Sequence, residues 1–166
     1  FEVDPVGNTV WQYQNTQPSP QRSNVFKVRR YDRRLFSQPD TLSVSAGGQL
    51  SFHIEAGTVR AGQAYFLVGS ASGTSPGIPV GNGINLPLNV DPYLVYTAVN
   101  PNTGFLSQTL GTLDQEGAST AVLSLPAGGV PANLVGATFH HAYLVLDLAA
   151  GIATRASNAQ AFSFTL

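Results

Sequence analysis

Gln49-Leu50-Ser51-Phe52-His53-Ile54-Glu55-Ala56 alternates apolar and polar residues without a break, so Leu50, Phe52 and Ile54 face one way and Ser51, His53 and Glu55 the other. A period of two is the signature of a strand with one wet face. Similar runs follow at 64–70, 93–99, 118–125, 137–148 and 161–166. In 137–148 both faces are largely apolar, with Phe139, Tyr143 and Val145 against Ala142, Leu144 and Leu146, which predicts a central strand covered on both sides. Turn residues separate the runs: Ala46-Gly47-Gly48, Asn82-Gly83, Asn100-Pro101-Asn102 and Ala127-Gly128-Gly129. Short strands at this spacing predict an all-β fold, an antiparallel β-sandwich of the immunoglobulin-like or jelly-roll-like kind. The one predicted helical turn lies at 131–135, with Pro131 at a first helical position.

Composition bounds the rest. The chain has 166 residues and no Cys, so disulfides, thiolate metal sites and cysteine nucleophiles are excluded. Only 10% of residues are charged, against about 25% in an ordinary soluble domain, which points to an exported or cell-surface bacterial β-protein. No run approaches the roughly 20 apolar residues of a membrane-spanning helix. A start at Phe1 with no Met anywhere reads as a processed form or a fragment.

Charge is sorted by position. Of eight Lys and Arg residues, Arg22, Lys27, Arg29, Arg30, Arg33 and Arg34 fall in residues 1–36, against Glu2, Asp4 and Asp32. Residues 37–166 hold Arg60 and Arg155 against Asp40, Glu55, Asp91, Asp114, Glu116 and Asp147. The net charge of −1 thus conceals a basic arm, 1–36, joined to an acidic sandwich domain, 37–166. The arm reads in three parts. Strand-like segments flank a Pro5-Val6-Gly7-Asn8 turn, with Trp11 and Tyr13 on one face; a Pro-interrupted polar stretch, 15–24, follows; then Val25-Phe26-Lys27-Val28-Arg29-Arg30-Tyr31 alternates as an amphipathic strand. An isolated hairpin is marginal in water, so this arm must pack on its own body or on a neighbour. The expected interaction residues are Trp11, Tyr13, Phe26, Lys27, Val28, Arg29, Arg30, Arg33 and Arg34.

Asp4-Pro5-Val6-Gly7-Asn8 and Val10-Trp11-Gln12-Tyr13, followed by the 25–31 strand, resemble the closing repeat of bacterial arylsulfotransferase-like and quinoprotein-type β-propellers. One such unit cannot close a propeller, and none of the sulfotransferase catalytic positions carries over. Residues 62–166 resemble a β-rich module at the carboxyl end of large secreted bacterial proteins. The pattern is Tyr65-Phe66-Leu67-Val68-Gly69-Ser70, Leu86-Pro87-Leu88-Asn89, Gly111-Thr112-Leu113-Asp114, His141-Ala142, Val145-Leu146-Asp147 and Ala156-Ser157-Asn158. That resemblance implies an exported accessory or structural module and no defined activity.

Catalytic motifs fail on inspection. Gly69-Ser70-Ala71-Ser72-Gly73 has Ala71 where a nucleophile elbow needs Ser. His140 and His141 are adjacent on a predicted strand, so they point to opposite faces and cannot share a metal. His53 and Glu55 share a face but lack a third ligand. Asp114-Gln115-Glu116-Gly117 reads as a solvated hairpin turn, which binds Ca²⁺ only if further oxygens join it. The acidic body and the lack of a recognition fold argue against nucleic acid, despite the arm's arginines. The sequence therefore predicts no enzyme and no catalytic, cofactor or metal residues. It predicts an extracellular structural protein that associates with copies of itself, as a homo-oligomer or filament, by docking the arm as an added strand on the body, with Phe26 and Val28 entering apolar pockets. The alternative is a C-terminal accessory or polysaccharide-binding domain of a secreted arylsulfotransferase-like propeller protein.

Overall fold

The computed structural model of the chain describes residues 34–166 and, before them, only the backbone of two short strands, β1 (Glu2–Val3) and β2 (Thr9–Trp11). The chain divides into two compact units, residues 1–30 and 31–166. In the first, β1 and β2 pair antiparallel, Glu2 opposite Trp11 and Val3 opposite Thr9, as the hairpin reading requires.

The described part of the second unit runs β3 (Arg34–Gln38), β4 (Thr41–Ser43), β5 (Gly48–Glu55), β6 (Ala64–Ser70), β7 (Ile78–Pro79), β8 (Asn85–Leu86), α1 (Pro92–Val99), β9 (Leu106–Ser107), β10 (Leu110–Thr112), β11 (Ala118–Leu125), β12 (Thr138–Asp147), β13 (Ile152–Ala156) and β14 (Gln160–Thr165). One sheet has the order β3-β5-β11-β9. The other has the order β10-β6-β12-β14-β4, with β13 also on β12. Every pair is antiparallel except β14 with β4. This is the β-sandwich that the alternation predicts. Arg34, Leu35 and Phe36, grouped with the arm by charge, are part of it, because β3 pairs with β5 along Arg34 to Gln38.

Alternation decides which side chains enter the space between the sheets. Leu50, Phe52 and Ile54 from β5, with Ala121, Leu123 and Leu125 from β11, meet Tyr65 and Leu67 from β6, Phe139, Tyr143 and Val145 from β12, and Phe162 and Phe164 from β14. Two tyrosine hydroxyls cross this core with their polar tips satisfied. Tyr143 donates to the Glu55 carbonyl at 2.8 Å, and Tyr65 donates to the Gln108 carbonyl while accepting from Ser119.

The outer face of the β6 and β12 sheet is also dry. Val68, Ala142 and Ala156 lie beneath Leu86 and Leu88, with Ile78, Val80, Ile84, Leu94 and Ala98 partly buried around them. The covering pieces are β7, β8 and α1, all from the segment between β6 and β9. This explains why 137–148 is apolar on both faces.

Three readings need correction. Residues 93–99, expected as a strand, form α1. The signal is Asp91, whose carboxylate accepts from Leu94 N at 2.8 Å as an N-cap, with Pro92 at the first turn. A capped start and packing of one face outweigh the strand preference of Tyr-Leu-Val-Tyr. The turn at 114–117 is no hairpin: it carries the chain from β10 in one sheet to β11 in the other. Asp114 closes it by accepting from Glu116 N and Ala118 N, and a side chain at Gly117 (φ +72°) would run into the Gly57 carbonyl. Near Pro131 a 3₁₀ turn forms at Ala132–Leu134, and Pro131 is its N-cap rather than a first helical residue.

Two edge strands are closed by asparagine side chains. Leu35 in β3 donates its N–H to Asn158 Oδ1, and its carbonyl accepts from Asn158 Nδ2, both at 2.9 Å. Leu110 in β10 is treated alike by Asn102, at 3.1 and 2.8 Å. A primary amide carries one donor and one acceptor side by side, as a peptide unit does, so each asparagine imitates one residue of a missing strand. It thereby occupies groups that would otherwise template another chain.

Candidate functional site

The densest polar constellation among the described residues gathers where the end of β6 meets the start of α1. Asp91 sits immediately before α1 and turns its carboxylate back over the residues that leave β6. Oδ2 accepts from Ser70 Oγ at 2.7 Å and from Ala71 N, Ser72 N and Ser72 Oγ at 2.8 Å each, while Oδ1 accepts from Leu94 N. Five donors on one carboxylate favour its charged form. Burial by itself would raise the Asp91 pKa, but the bonds from Ser70, Leu94 and Ser72 outweigh it and hold the group well below the usual carboxylate range.

At the second residue of the helix, Tyr93 reaches the core. Its hydroxyl lies 3.2 Å from His141 Nε2 on β12, and its ring meets Phe139 edge-on at 4.8 Å between centroids. Burial, helped by Tyr96 and Asp91 nearby, pushes the Tyr93 pKa up, so the phenol stays protonated. His141 is 1% exposed and packs on Phe52, at 4.4 Å between centroids, and on Phe162. Burial, with a smaller contribution from His140, pushes its pKa down to about 3. Thr97, one turn further on, accepts from Gly69 N at 3.0 Å and donates to the Leu94 carbonyl. Gly69 completes the contact. A Cβ there would stand 2.6 Å from both His141 Nε2 and Tyr93 Cε1, so only glycine lets strand, helix and imidazole meet.

Serine, histidine and aspartate are therefore all present, but the bonding is not that of a nucleophilic site. Ser70 is fully buried and directs its proton at Asp91, whose depressed pKa makes it a poor base. His140 stands across from Ser70 on β12, yet no hydrogen bond joins the two among the described residues. His141 points to the opposite face and meets Tyr93 instead. What the arrangement does is fasten a helix and a loop to the end of a sheet.

Among the described residues no three His, Cys, Asp or Glu side chains are grouped to hold a metal. His53 and Glu55 follow their predicted outward face: His53 stacks on Phe36 at 4.7 Å between centroids, and Glu55 lies across from Arg34. Of the predicted interaction residues, Trp11 ends β2 and Arg34 opens β3, where its guanidinium lies 4.7 Å over the Phe36 ring. Tyr13, Phe26, Lys27, Val28, Arg29, Arg30 and Arg33 lie outside the described residues. Arg34, Phe36 and His53 thus form one stacked group on the outer face of β3 and β5.

Asp91, Tyr93 and Thr97 were not singled out by sequence reasoning. The Asp91-Pro92 pair was the available signal, since an N-cap followed by proline marks a helix start. No helix among the described residues is long and apolar enough to cross a membrane. No protein-family model matches the chain, and no curated protein is significantly similar to it.

Proposed function

We propose that this chain is a non-catalytic extracellular assembly module, whose basic arm docks on the acidic sandwich of another copy to build an oligomer or filament. The observation that carries this reading is the sorting of charge: six of the eight cations precede residue 37, while six of the nine acids follow it. The wiring of the Ser70 and Asp91 constellation supports it, because the polar groups best placed for chemistry are spent on holding α1 and its loop. The asparagine closures at Leu35 and Leu110 support it too. A body that blocks casual pairing at two edges suits a protein that joins its copies by a directed contact.

Apolar anchors set the affinity of such a contact and charge sets encounter and register. Replacing Phe26 and Val28 by Asp is therefore expected to abolish association. Neutralising Arg29, Arg30 and Arg33 is expected to weaken it only as high salt does; Arg34 is left intact because it packs on Phe36 within β3. Burial of each apolar anchor is worth about 1.5–3 kcal/mol, against about 0–1 kcal/mol for an exposed ion pair. Sedimentation velocity across a salt series separates the two variants. An Asp variant that assembles as well as the parent eliminates arm-mediated docking.

A further inference from the structure

We infer that His141 is an acid-sensitive latch that fastens α1 to the sandwich through Tyr93, so that protonation of the imidazole releases the helix while the two sheets stay paired. The geometry makes the imidazole intolerant of a second proton. Nε2 is matched to the Tyr93 hydroxyl, and Nδ1 is buried with no partner among the described residues. Protonation would make both nitrogens donors, leave the Tyr93 hydroxyl only the role of acceptor, give the buried Nδ1 proton no acceptor, and leave a cation among aromatic rings.

Among the described residues, no neighbouring element supplies a counter-charge. β5 presents Phe52, β14 presents Phe162 and β6 presents only the backbone of Gly69. On β12 the adjacent titratable group is His140, which points to the other face and whose charge opposes a second one. From α1 come Tyr93 itself and, acting on Tyr93, Tyr96 and Asp91. Asp91 is committed to five donors, so it supplies no free counter-charge to the imidazole.

The direction of opening follows from where the nitrogen points. Nε2 faces the thin side of its enclosure, the bare backbone of Gly69 and the ring of Tyr93, whereas large core side chains close the other sides. Lifting α1 is thus the smallest movement that brings water to the charge. The helix resists through Tyr93, through the Thr97 bond to Gly69 N, and through the partly buried Leu94 and Ala98. Because the folded-state pKa lies below the ordinary 6.5, the closed form is favoured fully above pH 6.5, and that preference is lost as pH falls toward 3.

Hydrogen exchange of the full chain, corrected for the intrinsic pH dependence of exchange, tests this between pH 7 and pH 5, above the range where most carboxylates titrate. Protection of the α1 amides is expected to fall roughly twentyfold, the slope of a single proton bound only in the open state, while the amides of β5 and β11 in one sheet and of β14 in the other keep theirs. H141Q, which cannot take up the charge, is expected to flatten the α1 profile, and H140Q to leave it as in the parent. Constant α1 protection in the parent, an unchanged slope in H141Q, or a slope abolished by H140Q each overturns the latch. So does a joint loss of protection by α1 and both sheets. If H141Q does not fold, the profiles of the parent and H140Q still decide the matter.

Discussion

The two faces of β12 are covered by different means. Its inner face contributes Phe139, His141, Tyr143 and Val145 to a core assembled from both sheets, with partners drawn from β3 at one end of the described chain to β14 at the other. Its outer face contributes Ala142 and a half-buried Leu144 to a smaller cluster, whose cover is the single stretch carrying β7, β8 and α1. Contacts spread over the whole chain rise and fall together. A cover made of one segment can loosen alone, and the polar constellation at Asp91, Tyr93 and Thr97 lies where that cover is fastened. The difference identifies the inner core as the source of the fold and the outer cap as the part able to move.

Substitutions on the two faces should break the comparison or sharpen it. Phe52→Ala empties a fully buried ring position between the sheets, in contact with His141 and Phe162, and is expected to cost about 3–5 kcal/mol of global stability in urea unfolding. Leu88→Ala, equally buried but under the cap, is expected to cost about 2–3 kcal/mol. Much of that loss should appear as faster hydrogen exchange in 76–99 rather than in β5 or β11. Equal exchange effects in both places would mean that cap and core are one cooperative unit.

Next comes Asp91→Ala, which removes the helix cap together with the bonds to Ser70, Ala71 and Ser72. An N-cap is worth about 0.5–2 kcal/mol, so a loss near the upper end is expected. Asp91→Asn should retain most of the cap, and thermal unfolding of the pair measures the difference. Smallest in stability is Asn158→Ala, at about 1 kcal/mol for the lost amide bonds to Leu35. Its clearer effect should be on association. With the β3 edge reopened in the non-associating variant that carries Asp in place of Phe26 and Val28, light scattering is expected to detect non-specific aggregation absent when Asn158 is intact, and equal monodispersity of the two would remove Asn158 from the role of edge closure.

The strands that build the inner core were legible because each carries its instruction locally. Leu50, Phe52 and Ile54 alternate with Ser51, His53 and Glu55, and water on one side with oil on the other leaves one arrangement for such a strand. Helix α1 was not legible from its own residues. Tyr93 to Val99 prefer strand, and the cap that reverses the preference is a single aspartate, whose importance depends on Ser70 and Ser72 some twenty positions earlier. The same holds for the asparagines: Asn158 lies 123 residues from the Leu35 backbone it closes, and nothing in either stretch announces the other.

By itself, then, the sequence determined the alternation, the turns, the doubly covered character of β12, the opposite facing of His140 and His141 and the sorting of charge between the two ends. All of these follow from the period of the backbone and from counting. Only the tertiary structure decided where α1 is fastened, that Ser70 points at Asp91 rather than at a histidine, and that His141 meets Tyr93 among aromatic rings. Those outcomes depend on distances between residues remote in the chain, and a hydrogen bond is made or lost within a few tenths of an ångström that no local pattern encodes.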